Sequence, residues 1–289
     1  MMVRMDKRTI KYALLALIFF LCLVLLMFGG KVLTDSYKRT TPDIVLMGDS
    51  IFGQVRDESS VSANLEQRTG RKVFLAAFGG TGMSRMNRSG RADITKDVLS
   101  MEALATAVYL DDFAPQQTVH IREYGTEYFD DLVDNLAMVD FDKVDILFIN
   151  HGINDYHGGV PLDNDKEPLD AYTFAGALRK TLKRLQQAYP HLRIILVTPT
   201  YSWYADGESG ELLTCEEYDF GGGTLNLYVD KEIAIAKEQG VEWIDVFHDF
   251  YPHAHPEECW WFTEDGVHPN EAGRMRIAEA LADYLEVER

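Results

Sequence analysis

Five short apolar runs, separated by stretches of helical pattern, constrain this fold more than any other feature of the chain. They are residues 43–47, 72–77, 144–149, 193–198 and 242–246 (DIVLM, KVFLAA, VDILFI, RIILVT and EWIDV). Runs this continuously apolar suit parallel strands covered on both faces, because a strand with one wet face alternates instead. The segments between them read as helices. VSANLEQRTG closes on Gly70, FAGALRKTLKRLQQAYP stops at Pro190, and TLNLYVDKEIAIAKEQG closes on Gly240. Glycine and proline at such positions are helix stop signals. A last helical pattern, NEAGRMRIAEALADYLEVER, ends the sequence. Strands alternating with helices in this way predict a doubly wound, three-layer α/β/α sandwich around a five-stranded parallel sheet.

The first thirty residues are a separate object. Residues 1–11 carry Arg4, Lys7, Arg8 and Lys11 against Asp6, and residues 12–30 (YALLALIFFLCLVLLMFGG) carry no charge. That length approaches the roughly 20 residues a helix needs to cross a bilayer. The apolar run exceeds the usual 7–15 residues of a signal-peptide core, and no A-x-A cleavage site follows it. The expectation is an uncleaved single-pass anchor with its basic end in the cytoplasm and the rest of the chain outside the cell membrane. Residues 31–41 then form a tether, and 42–289 the folded domain.

The formal net charge is −18 with no basic stripe, which argues against nucleic acid as a partner. Cys215 and Cys259 would lie in an oxidising compartment and could pair, although free buried thiols fit two cysteines equally well. The loop with His248, His253, His255 and Cys259 fits no zinc spacing, so no metal or other cofactor is expected.

In doubly wound folds, sites collect at the carboxyl ends of strands. The first run here ends in Gly48-Asp49-Ser50, the second in Phe78-Gly79-Gly80-Thr81-Gly82, and the third in Asn150-His151-Gly152-Ile153-Asn154-Asp155. Asp265-Gly266-Val267-His268 follows the fifth. A turn alone would explain Gly-Asp-Ser. However, a serine becomes a nucleophile when a histidine takes its proton and a carboxylate holds that histidine. Asp265 and His268, three residues apart on a turn, can supply both. Acyl transfer also needs donors for the developing oxyanion. The Ser50 N–H at a helix start, the Gly80 N–H and the Asn154 side-chain amide are the candidates.

Those four blocks resemble the SGNH (GDSL-type) hydrolases: Ser50 in GDS, Gly80 in FGGTG, Asn154 in GIND and His268 in DGVH. The resemblance spans roughly residues 43–286. It implies a flavodoxin-like SGNH hydrolase fold and a cofactor-free serine esterase. Ser50 would be the nucleophile, His268 the base and Asp265 its partner, with an oxyanion hole of Ser50, Gly80 and Asn154. Many members carry an asparagine before the second-block glycine, where this chain has Leu75. The chain is also long between Gly80 and Asn154. Residues 84–126 are expected to be an insertion, containing a helix at SMEALATAVYLDDF, that packs beside Ser50.

Tyr201, Trp203, Trp260 and Trp261 fall near these strand ends and are candidate sugar-stacking residues. The expected function is hydrolysis of short-chain esters, acetyl above all, carried on a carbohydrate. The alternatives are a glycan O-acyltransferase working through the same acyl-enzyme, a lipase or lysophospholipase, and a non-catalytic glycan-binding module.

Overall fold

The computed structural model describes residues 39–86, 97–119, 128–207 and 209–287. The expected anchor at 12–30 therefore lies outside the described residues, and among those described no helix is long and apolar enough to cross a membrane.

The chain builds β1 (Ile44–Gly48), a one-turn α1 (Ser50–Gly53), α2 (Val61–Thr69) and β2 (Val73–Ala77). It continues through α3 (Met101–Leu110), α4 (Ala114–Gln117), α5 (Tyr128–Ala137), β3 (Ile146–Asn150), α6 (Ile153–His157), α7 (Phe174–Ala188) and β4 (Arg193–Val197). A small hairpin of β5 (Trp203–Ala205) and β6 (Leu212–Thr214) follows, then α8 (Leu225–Gln239), β7 (Glu242–Ile244), α9 (Cys259–Phe262) and α10 (Glu271–Glu286).

The main sheet is five-stranded and parallel, in the order β2-β1-β3-β4-β7. Ile44, Val45, Leu46 and Met47 of β1 are all fully buried, as a central strand covered on both faces requires. The step from β1 to β2 and the step from β2 to β3 run in opposite directions across the sheet. Right-handed crossovers must therefore leave α2 and α3 on opposite faces. Helix packing agrees: α2 lies against α10, while α7 lies between α3 and α8. The order reverses at β1 and β3, and the crevice at their carboxyl ends is where such a fold binds ligands.

The helix boundaries follow local chemistry. Gly70 ends α2 and Gly240 ends α8 in the left-handed conformation, where glycine has no Cβ to clash. Ser60, Ser100, Thr173 and Asn270 each accept a backbone N–H in the first turn of the following helix. Thr224 takes the same position before α8, but its hydroxyl bonds the Asn226 side chain at 2.6 Å instead.

The helix expected within 84–126 forms as α3, but it is a crossover helix rather than a wall beside Ser50. Its Met101, Leu104, Ala105 and Val108 are buried in the core, and it packs on α7. Residues 87–96 and 120–126 lie outside the described residues. The length between Gly80 and Asn154 is thus taken up in part by the connection that carries the chain past β1. A fully buried carboxylate, Glu102, ties α3 down. Arg85 reaches it at 2.5 Å, Lys180 at 2.9 Å, and Arg184 also bonds it. Burial alone would raise this carboxyl, yet the cations outweigh it and hold it down to about 2.

Candidate active site

Ser50 stands at the first position of α1, directly beyond β1. Asp49, the N-cap, accepts the Ile51 N–H at 2.9 Å. That bond turns the chain sharply from strand to helix and leaves the Ser50 side chain at the sheet's upper edge. Gly48 sits in a crowded place: a Cβ there would meet the Asn150 carbonyl at 3.0 Å and the Phe52 ring at 3.1 Å.

The Asp265–His268 turn lies 218 residues from Ser50 in sequence yet meets it. His268 Nε2 is 3.0 Å from Ser50 Oγ, and His268 Nδ1 is 2.7 Å from Asp265 Oδ2. Asp265 Oδ1 accepts the backbone N–H of His268 at 2.8 Å and of Val267 at 3.0 Å. One carboxylate thus folds the turn and orients the ring. Burial works to raise Asp265, but the bonds from the His268 ring and from these N–H groups prevail and hold it below the ordinary aspartate value.

The turn is fastened on both sides. Glu264 N–H donates to the His268 carbonyl at 2.8 Å, and Trp203 N–H donates to the Gly266 carbonyl at 2.9 Å. Gly266 has φ +92°, and a Cβ would lie 2.5 Å from the Trp203 carbonyl, so only glycine fits there.

Asn154 opens α6 next to Asp49 and the Gly80 loop. Its amide donates to the Thr81 carbonyl at 3.0 Å and to Asp49 Oδ2 at 3.2 Å. Gly80 adopts φ +71° in the neighbouring loop. Neither the Ser50 nor the Gly80 N–H has a protein acceptor among the described residues. Asp155, next to Asn154, accepts Met83 N–H at 2.7 Å, Ser84 N–H at 2.9 Å and Ser84 Oγ–H at 2.5 Å. It therefore splices the Gly80 loop onto α6.

Beneath the site lies a polar floor. Asp49, His151 and Asp155 are almost wholly buried. Burial raises Asp49 to about 7, against its bond from Ile51, with Asp155 pushing it further up. Burial likewise raises Asp155 to about 6 and lowers His151 to about 3. His151 is thus neutral, and its Nδ1 lies 3.9 Å from Asp49 Oδ2, too far for a hydrogen bond.

This geometry, a serine hydroxyl on a histidine that is itself held by a carboxylate, is built for acyl transfer. The model of the GDSL-like Lipase/Acylhydrolase family matches residues 46–276. The chain belongs to that family. As a family member it is an ester-hydrolysing enzyme. The family match runs from within β1 into the first turns of α10, and so takes in all four sequence blocks.

Solved structures share its fold. A protein from Lactobacillus plantarum superposes with a TM-score of 0.60 at 19% identity, covering 86% of this chain and 99% of that one. One described as a possible lipase, from Chitinophaga pinensis, gives 0.54 at 16% identity over 84% and 97%. A family two carbohydrate esterase from Clostridium thermocellum, solved with cellohexaose, gives 0.50 at 17% identity over 86% and 65%. A search of curated proteins finds no match.

The aromatic candidates divide. Tyr201 and Trp203 are only 3% and 4% exposed, so they cannot offer a face to a sugar. Tyr201 stacks on His253 at 4.1 Å and packs on Phe247, while Trp203 backs the Asp265–His268 turn. Both are core residues in this structure, Trp203 at the start of β5 and Tyr201 just before it. Trp260 and Trp261 are 51% and 56% exposed. Cys215 and Cys259 are both buried and unpaired.

His157 was not legible from the motifs, and Asp155 and Tyr204, seen in sequence as a capping residue and a strand-end aromatic, gain their partners only in the structure. The available signal was spacing. Asp155 adjoins Asn154, and His157 follows it by three residues on α6.

Proposed function

We propose that this GDSL-family esterase removes short acyl groups, acetyl above all, from carbohydrate, and that it works outside the cell, tethered by residues 12–30. The observation that carries the reaction is the chain Asp265–His268–Ser50 at 2.7 and 3.0 Å. Ser50 Oγ attacks the ester carbonyl as His268 Nε2 takes its proton, and Asp265 steadies the resulting imidazolium. The tetrahedral oxyanion is met by the N–H groups of Ser50 and Gly80 and by the Asn154 amide. For Asn154 to serve, its longer bond to Asp49 gives way to a shorter, charge-assisted one to the oxyanion. His268 returns the proton to the departing alcohol, and water repeats the sequence to release the acid.

Three features support the substrate reading. The apolar, uncharged run at 12–30 behind a basic flank favours an anchor, and an anchored enzyme meets surface glycans. Trp260 and Trp261 are exposed close in sequence to the Asp265–His268 turn. The fold neighbour from Clostridium thermocellum is a carbohydrate esterase. The test compares acetyl with octanoyl esters of one alcohol, followed by acetate release from acetylated glycans. Preference for acetyl together with glycan-derived acetate supports the reading. Preference for long chains without acetate release replaces it with a lipase or lysophospholipase. Protease added to intact cells should reach the domain, and protection until lysis would reverse the topology.

A further inference from the structure

His157 has no role in the triad, yet it bonds Tyr204, the residue after the Trp203 that fastens the Asp265–His268 turn. It follows Asn154 by three residues on the one-turn helix α6, so the two side chains rise from neighbouring points on that helix. Its Nε2 is 2.7 Å from the Tyr204 hydroxyl, and that hydroxyl is 2.9 Å from Ser202 Oγ. Ser202 is fully buried. The chain of three polar groups therefore fixes the ring from behind. Nδ1 has no protein partner among the described residues, nor is it one of their buried unpartnered atoms. It is the ring's one open polar atom. Burial is the main cause that lowers His157 to about 4, with His268 and Asp265 also acting on it. The imidazole is therefore neutral at ordinary pH, and its partner Tyr204 adjoins Trp203, whose N–H bonds the Gly266 carbonyl in the turn that carries His268.

An aromatic wall completes the niche. Phe220 is 37% exposed and meets the His157 ring edge-on at 5.2 Å and the Tyr204 ring at 5.4 Å. Its loop is rigidly held. Tyr156 Oη–H donates to the Tyr218 carbonyl at 2.8 Å, and Asp219 Oδ1 accepts Gly221 and Gly223 N–H at 2.6 and 2.9 Å.

Direction decides what this niche meets. His268 must hand its proton to the departing alkoxide, so the alcohol half of the ester lies on the His268 side of the scissile carbonyl. Groups that face His268 meet the alcohol rather than the acyl chain. We infer that His157, backed by Tyr204 and walled by Phe220, is a specificity residue for the alcohol moiety. It takes a polyhydroxylated ring whose hydroxyl bonds Nδ1 while an apolar face rests on Phe220. This rests on the carbohydrate-ester reading for the identity of the alcohol, but not for the side of the ester that is read.

The experiment holds the acyl group constant and varies the alcohol. Acetyl esters of a methyl glycoside, of glycerol and of phenol are compared on wild type, His157→Leu, His157→Gln and Phe220→Ser. His157→Leu should lower the ratio of kcat/KM for the glycoside ester over the phenyl ester about tenfold, the scale of one lost hydrogen bond. The loss should fall chiefly in KM, and Gln should restore part of it. Phe220→Ser, at an exposed position, should shift the ratio the same way and covers the case in which His157→Leu does not fold. Equal losses on all three alcohols, or an unchanged ratio in Phe220→Ser, would overturn the inference. If wild type cleaves no glycoside ester, the carbohydrate reading fails by itself, and the glycerol-to-phenyl ratio still judges His157.

Discussion

His268 Nε2 lies 3.0 Å from Ser50 Oγ although 218 residues separate the two in sequence. The sheet order creates this meeting. Ser50 ends β1 in the middle of the sheet, and the turn bearing His268 follows the edge strand β7 and is pinned back by Trp203 and by the start of α10. Because the hydroxyl, the ring and the Asp265 carboxylate form one chain, they should fail as a unit. Ser50→Ala and His268→Ala are each expected to lower kcat by about 10⁶. Asp265→Asn should cost about 10⁴, since its amide offers the ring a donor and favours the wrong tautomer. Steady-state kinetics on a phenyl ester, with thermal unfolding to show intact folding, checks all three.

Asn154→Ala is expected to reduce kcat by about 10²–10³ with a much smaller change in KM, as for loss of one oxyanion donor. The split matters, because Asn154 also bonds Thr81 and Asp49. A loss confined to KM would assign it to ground-state binding instead.

Glu102 offers a test of the fold away from the chemistry. Its buried carboxylate receives Arg85, Lys180 and Arg184. Glu102→Ala would leave these cations facing a buried gap. The expected cost is about 3–5 kcal/mol in urea unfolding, and a cost below about 1 kcal/mol would show that solvent already screens the cluster.

Asp49 gives stability a pH dependence of known sign. Its folded value is about 7 against an ordinary 3.8. Between those values the folded protein holds a proton that the unfolded chain has released. Its contribution is therefore fully present below about pH 4, falls by up to about 1.4 kcal/mol per pH unit, and levels off above about 7. His151, Asn154 and Asp155 face the same carboxyl. Burial also raises Asp155, to about 6, so Asp155 should add to the trend at slightly lower pH. Wild type should lose stability relative to Asp49→Asn as pH rises from about 5 to about 7 in urea titrations. A constant difference would contradict the buried, raised carboxyl.

Much of this architecture was legible in the sequence because the strands are buried on both faces. DIVLM, KVFLAA, VDILFI, RIILVT and EWIDV each mark a strand of the sheet within two residues. The triad was legible because its members sit in short blocks at strand ends, where the fold exposes them. The β5–β6 hairpin was not. Its strands are three residues each, too short for an alternating pattern to register, and so the sequence left core packing and sugar stacking both open for Tyr201 and Trp203. The α3 segment was legible as a helix but not in its placement. A crossover helix and an insertion beside Ser50 carry the same apolar periodicity, and packing on α7 is what separates them. Asp155 and His157 take their roles from contacts with Ser84 and Tyr204; spacing from Asn154 placed them near it but did not disclose these partners.

The central claim is that Ser50 is the nucleophile of an ester-hydrolysing site. The most direct measurement is the intact mass of the full chain after reaction with a fluorophosphonate. One adduct is expected on wild type, located on Ser50, little on His268→Ala, and none on Ser50→Ala, which should also have lost its acetyl esterase activity. A Ser50→Ala protein that takes up the label, or that hydrolyses acetyl esters at the wild-type rate, would contradict it.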